Sequence, residues 1–326
     1  MYTWRYGGNM AELQIIGATV IMNKEYKGIP FFIENLIPTV GIIILAGSPK
    51  IGKSWFVLQL LLSVCYKRET FIGHKILQQT KALYLSLEDN EARIQERIIK
   101  QGFSPTDDNL QFAFSWPANG TEIQNLEDFL KKNPEVKLIC IDTKGKFTLG
   151  RNEESYQLDY DWMSKLKVLS DKYQVAIILV THLRKRHADE DPYEQVSGSN
   201  GNTGAADTII MIKRGRNQAK GNISLTSRDF AENEEDILFD TTSCSWFSAT
   251  DNTNSLLTEE RQAILDVMKI LGNNCRPSQI AEELHKNPKN ISNMLQKMKQ
   301  YHLVQPGDSY GTYKISQENN EYREIV

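Results

Sequence analysis

Gly41-Ile42-Ile43-Ile44-Leu45-Ala46 runs directly into Gly47-Ser48-Pro49-Lys50-Ile51-Gly52-Lys53-Ser54, and an apolar stretch over residues 55–66 follows. Six consecutive small or branched aliphatic residues are too few for a buried helix and read as a strand covered on both faces. The next eight match G-x-x-x-x-G-K-[ST]. Glycines at both ends allow a tight loop whose amide N–H groups, with the N-terminus of the following helix, gather around an anion. Gly47, Ser48, Pro49, Lys50, Ile51 and Gly52 thus form the expected cradle for the triphosphate of ATP. Lys53 is expected to reach the β- and γ-phosphates, and the Ser54 hydroxyl to ligate Mg²⁺. Strand, loop and helix together make a P-loop.

Working outward, short apolar runs recur at residues 82–87, 137–141, 175–180 and 208–212, with amphipathic segments between most of them. That alternation predicts an α/β domain with a central, mostly parallel sheet, while runs at 222–226 and 237–239 predict antiparallel strands at its edge. Asp142 closes four apolar residues, the Walker B arrangement in which a carboxylate holds the water shell of Mg²⁺. Glu88 ends the strand at 82–87, where a carboxylate is placed to take a proton from an attacking water. A plainer role is available to the same carboxylates: Glu88 or Asp89 as the cap of the helix expected at 89–100. His182, beyond Thr181 at the end of the strand at 175–180, is placed to hydrogen-bond the γ-phosphate.

A polar stretch at 250–255 (TDNTNS) breaks the pattern. It predicts an ATPase domain over residues 1–250, a linker at 251–257 and a small domain over 258–326. Beyond the linker the order is helix, helix, helix and hairpin. Thr258 caps the first helix, with Ile264, Val267, Met268 and Leu271 on one face; Pro277 and Pro288 start the next two. That order is the order of a winged helix-turn-helix. Residues 286–304 carry four lysines and no acidic residue. Lys289, Asn293, Gln296 and Gln300 share the face opposite Ile291 and Met298, which suits a groove-facing helix, so Lys289, Asn293 and Lys297 are candidate contacts for duplex DNA.

The whole chain of 326 residues has 38 Lys plus Arg and 41 Asp plus Glu, a formal charge of −3, so any nucleic-acid surface must be local. The four cysteines show no C-x-x-C pair or metal-like spacing, which fits a reducing compartment and argues against a zinc site. No apolar run approaches a membrane span. The expectation is a soluble, cytoplasmic protein.

Five stretches, LAGSPKIGKSW (45–55), LYLSLED (83–89), LICIDT (138–143), ILVTHLRK (178–185) and SGSNGNTGAADT (197–208), together resemble the RepA-like branch of RecA-fold ATPases. These are hexameric replicative helicases of plasmids and mobile elements. The resemblance covers most of residues 25–245. It implies a RecA-like fold and an ATP-fuelled homo-oligomeric ring, a hexamer, translocating on single-stranded DNA. Carried over by position, Lys53 and Ser54 bind nucleotide and metal, Glu88 is the general base, Asp142 is Walker B and His182 senses the γ-phosphate. Arg97 falls where relatives place an arginine near the adenine. Arg228 falls where a neighbouring subunit's arginine finger sits, with Arg214 as the competitor. Loops at 144–154 and 183–204 are expected to face the ring's channel, where Lys144, Lys146, Arg151, Arg184, Lys185 and Arg186 would track phosphates. Lys144 and Lys146 depart from relatives, which commonly carry an apolar residue there. Two other readings stand beside the helicase: a RecA/RadA-like recombination ATPase forming filaments, and a DNA-binding regulator whose ATPase core only switches assembly.

Overall fold

The computed structural model describes residues 15–25, 28–66, 68–117, 119–148, 156–183, 205–215, 218–249, 259–272, 274–300 and 303–316. The chain forms two compact units, Met1–Pro30 and Phe31–Val326. In the first, α1 (Ala18–Met22) is a five-residue helix that buries none of its residues and exposes Val20, Ile21 and Met22.

The second unit is built on a nine-stranded sheet. Its P-loop strand is β3 (Gly41–Gly47), buried along its whole length. Parallel to it on one side lie β9 (Ala176–His182), β8 (Val136–Asp142), β6 (Lys81–Ser86) and the edge strand β7 (Leu110–Ala113). On the other side β10 (Thr208–Arg214) is parallel, and β11 (Lys220–Ser227), β12 (Asn233–Asp240) and β13 (Ser245–Ser248) continue antiparallel. The mixed, mostly parallel sheet expected from the sequence is therefore present, and short two-stranded ribbons flank it: β1 (Phe31–Ile33) with β2 (Ile37–Pro38), and β4 (Thr70–Phe71) with β5 (His74–Lys75).

Side chains alternate across the strands, so each face of the sheet has its own core. One face takes Ile43, Leu45, Tyr84 and Cys140 against α2 (Lys53–Cys65) and α3 (Glu91–Lys100). The other takes Ile42, Ile44, Leu83 and Ile139 against α4 (Glu122–Lys132) and α6 (Tyr156–Tyr173). Two strands of the nine-stranded sheet, and both short ribbons, escape the sequence reading. β7 is four residues with one buried position, and β13 follows a turn-like Thr-Thr-Ser-Cys. The loop expected at 144–154 begins instead as a helical turn, α5 (Lys144–Phe147), because Phe147 buries itself between Trp116 and Trp162.

The C-terminal part folds as three helices, α7 (Glu259–Leu271), α8 (Pro277–Glu283) and α9 (Pro288–Gln300), then a hairpin of β14 (Val304–Pro306) and β15 (Tyr313–Ile315). Ile264, Met268, Ile280, Ile291, Leu295 and Met298 make its core. Leu265 joins them, whereas Leu271 is 38% exposed: the buried stripe ends a turn earlier than the spacing suggests. Leu238 and Phe247, cross-strand partners on the β12–β13 hairpin, pack against this core. Arg261 and Asp240 form an ion pair at 3.0 Å, each side chain only 1% exposed. Cys65, Cys140, Cys244 and Cys275 are all free thiols. Among the described residues no helix is long and apolar enough to cross a membrane.

Candidate active site

The parallel strands all end on one edge of the sheet, and the sequence motifs meet there. Register aligns Gly47 with His182, Val180 with Asp142, and Asp142 with Ser86. Strand ends in a parallel sheet are the natural seat of a site because helix N-termini and loops converge there. The P-loop turns back on itself through Lys50 (φ 66°) and Gly52 (φ 105°), the latter being the N-cap of α2. A side chain at Gly47 would meet Ile51 Cδ1 and the Ile212 carbonyl, so only glycine fits under the loop. The cradle that an oxyanion needs is thus a property of the backbone.

Lys53 lies buried at the centre. Its ammonium donates to the carbonyls of Gly47 at 2.7 Å and Ser48 at 3.0 Å, and to His182 Nδ1 at 3.0 Å. Burial pulls its pKa down to about 8, although the nearby carboxylates of Asp142 and Glu88 work in the opposite direction. His182 accepts through Nδ1, so its proton sits on Nε2. Burial first and the Lys53 charge second hold it below the usual histidine value. A neutral imidazole with a free Nε2–H can donate to a phosphate oxygen.

Asp142 is buried, and burial raises its pKa against the hydroxyls of Ser54 and Tyr84 that donate to it. The Tyr84 bond is 2.8 Å long, to Oδ2. One carboxylate and one hydroxyl are a sparse ligand set. Among the described residues no cluster of three or more His, Cys, Asp or Glu forms a metal site. Ser54 and Asp142 do fit Mg²⁺, a hard cation that keeps several waters and takes its other ligands from phosphate. Ser54 and Asp142 would hold the ion, which would supply charge neutralisation to the bound phosphates.

Glu88 is exposed just beyond β6, and its Oε1 accepts from the Thr143 hydroxyl at 2.9 Å. The helix-cap role belongs elsewhere: Asn90 caps α3, accepting from the Arg93 amide at 2.9 Å. Asp89 is clamped by Arg97 through two bonds of 2.6 and 3.1 Å and by Arg93 at 2.8 Å. Glu88 is left directed at the site, near enough for its charge to act on Lys53, His182 and Asp142.

Residues 30–188 match the family described as AAA domain, a span that holds the P-loop and all four of these side chains. This part of the chain is a P-loop ATPase-like domain. No curated protein matches the chain. Among solved structures the chain is similar to the RadB recombinase, at 14% identity over 65% of this chain and 91% of that one, with a TM-score of 0.45.

Other expected residues of the ATPase domain fall at varying distance from this cluster. Arg97, tied to Asp89, stacks 4.9 Å over the Trp55 ring beside the first turn of α2. Arg228 sits at the opposite edge of the sheet, beyond the pairing of Ser227 with Thr208, and lies 3.7 Å from Asp207. Arg214 adjoins the P-loop of its own chain, donating from Nε to the Ile51 carbonyl at 3.1 Å. Lys144 lies 5.4 Å over the Trp162 ring, and Lys146 is exposed on α5. Arg151, Arg184, Lys185 and Arg186 lie outside the described residues, as does the side chain of Lys297. Lys289, Asn293 and Gln296 are exposed together on α9. Sequence reasoning did not single out Tyr84, Thr143 or Trp246. Tyr84 and Thr143 each lie within two residues of a motif carboxylate in register or in sequence, which is the signal that would have found them.

Proposed function

We propose that this protein is an ATP-dependent DNA translocase of the RecA-like type, a helicase serving replication of a plasmid, prophage or other mobile element, working in the cytoplasm. The convergence of Lys53, Ser54, Asp142, Glu88 and His182 on one sheet edge carries the reading. It provides phosphate charge compensation, a metal seat, a base for water and a γ-phosphate donor within one cluster, which is what hydrolysis of a bound nucleoside triphosphate needs. In this reading the chain assembles as a hexamer with single-stranded DNA in its channel, and Lys144 and Lys146 contribute to the channel lining. A neighbouring subunit completes each site with an arginine, Arg228 or Arg214. The C-terminal unit acts as a winged helix that meets duplex DNA through Lys289, Asn293 and Lys297, where α9 offers cations and amides without acidic neighbours.

Forked DNA with a labelled strand tests the proposal, with ATP and Mg²⁺ supplied and the assemblies imaged by electron microscopy. Strand separation that needs ATP, from closed rings, is the expected result. Filaments with DNA-stimulated hydrolysis and no unwinding would replace the helicase by a recombination ATPase. DNA binding with negligible turnover would replace it by an ATP-switched regulator.

A further inference from the structure

The ATPase reading explains what the inner face of the P-loop does and leaves its outer face unexplained. That face is held by the end of β10 and by β13 of the antiparallel edge. The Ile51 carbonyl accepts from Arg214 Nε at 3.1 Å, and the Gly52 carbonyl, which takes the first helical bond of α2 from the Phe56 N–H at 2.9 Å, also accepts from Trp246 Nε1 at 3.2 Å. Both donors are themselves fixed. The Arg214 guanidinium lies 4.3 Å over Phe239 and 5.5 Å over Trp246, and its Nη1 donates to the Gln218 carbonyl at 2.8 Å. Trp246 is fully buried and packs 4.9 Å from Phe239. Its backbone N–H and C=O are both bound by the Gln59 carboxamide of α2, at 2.7 and 2.8 Å.

The geometry of the peptide unit turns this into an effect on ligand binding. In a planar trans peptide the C=O and the next residue's N–H point in opposite directions. Anchoring the Ile51 carbonyl on the outside aims the Gly52 N–H inward, and anchoring the Gly52 carbonyl does the same for the Lys53 N–H. These are two of the amides that a P-loop offers to phosphate. We propose that Arg214 and Trp246 are positioning residues for triphosphate binding, which hold two P-loop amides on the phosphate from behind and within the same chain. This rests on the ATPase reading and deepens it. It also gives Arg214 a task in its own subunit, distinct from that of an arginine finger.

Calorimetric titration of the full-length protein with ATPγS and Mg²⁺, alongside steady-state ATPase assays, tests it. Trp246→Phe removes the N–H and keeps an aromatic ring, and Arg214→Leu removes the guanidinium. Each should weaken ATPγS binding and raise the KM for ATP by about tenfold, with kcat at saturation changed by less than about threefold. Arg214→Lys, which keeps a donor, should recover part of the loss. Leu238→Ala, on the other face of the same hairpin, should lower Tm yet leave ATPγS affinity within about twofold. Normal binding in both variants with a fall in kcat for Arg214→Leu would overturn the proposal in favour of a group acting on the chemistry. Equal weakening by Leu238→Ala would overturn it as general loosening. A wild-type chain that does not bind ATPγS would sink the ATPase reading itself, whereas wild-type binding with unaltered variants would sink only the proposal.

Discussion

The two edges of the parallel sheet are made from the same strands and solve opposite problems. At the edge where β3 begins, polar groups are matched with one another. Gly41 N–H donates to Ser170 Oγ at 2.8 Å, Ser170 Oγ donates to the Val175 carbonyl at 2.6 Å, and Ile42 N–H donates to Asp207 Oδ2 at 2.8 Å. Lys167 bridges Asp207 and Asp171 at 3.0 and 2.9 Å. At the edge where β3 ends, a buried ammonium, a buried carboxylate and a half-buried histidine are packed within reach of each other, and each has its pKa displaced by burial. One edge is organised for stability. The other keeps charge where it is expensive, as sites that must bind phosphate and move protons do.

Substitutions at the two edges should therefore move different observables. The largest effect is expected at Glu88. Glu88→Gln preserves shape and the Thr143 contact but cannot take a proton, so hydrolysis should drop by about 100-fold or more while ATP still binds, as single-turnover and binding assays would register. Near-normal turnover would remove Glu88 from the chemistry. Next comes the opposite edge. Asp207→Ala strips the Ile42 amide of its acceptor and leaves Lys167 with Asp171 alone, and should cost about 2–3 kcal/mol in denaturant unfolding, with the KM for ATP of the folded protein unchanged. A shift in KM instead would mean that the two edges are not separable.

The smallest effect on stability has the opposite sign. Lys53→Met should abolish ATP binding and yet stabilise the nucleotide-free protein by about 1 kcal/mol, because it removes a buried ammonium at the expense of its hydrogen bonds. The folded pKa near 8 lies below the ordinary value of 10.5. The buried charge is thus fully costly below pH 8, and that cost is relieved as pH rises through 8 towards 10.5. The stability gap between variant and wild type should be widest at neutral pH and narrow across that window. A gap that widens with pH would contradict the assignment.

How far the sequence could be read follows from how local each constraint is. The P-loop is local: its glycines, lysine and serine act on backbone within a few residues, so Gly47 to Ser54 could be placed before any contact was known. Strand ends are nearly as local, which is why Asp142, Glu88 and His182 were legible as a group once the apolar runs had been ordered. Partners that act across the sheet were not. Trp246 meets Gly52 from 194 positions away, and only the register of β12 with β13 puts its indole there. Arg214 was legible as a cation near a strand end, but what it touches depends on the lie of Ile51. The capping choice between Glu88 and Asp89 left out Asn90, whose side chain does the work because the helix starts at Glu91, two residues later than the expected range.

The β12–β13 hairpin is a party wall. Phe239 and Trp246 look towards the P-loop, Leu238 and Phe247 look towards the three C-terminal helices, and Asp240 at its end is closed by Arg261. A cut in the chain near residue 250 would pass cleanly through sequence and still breach this wall. The shortened ATPase would expose two apolar side chains and strand a carboxylate without its guanidinium, and the excised helices would carry the matching wounds. Fragments made that way would report the properties of damaged edges as well as of parts, so point substitutions in the intact chain are the sounder instrument for dissecting this molecule.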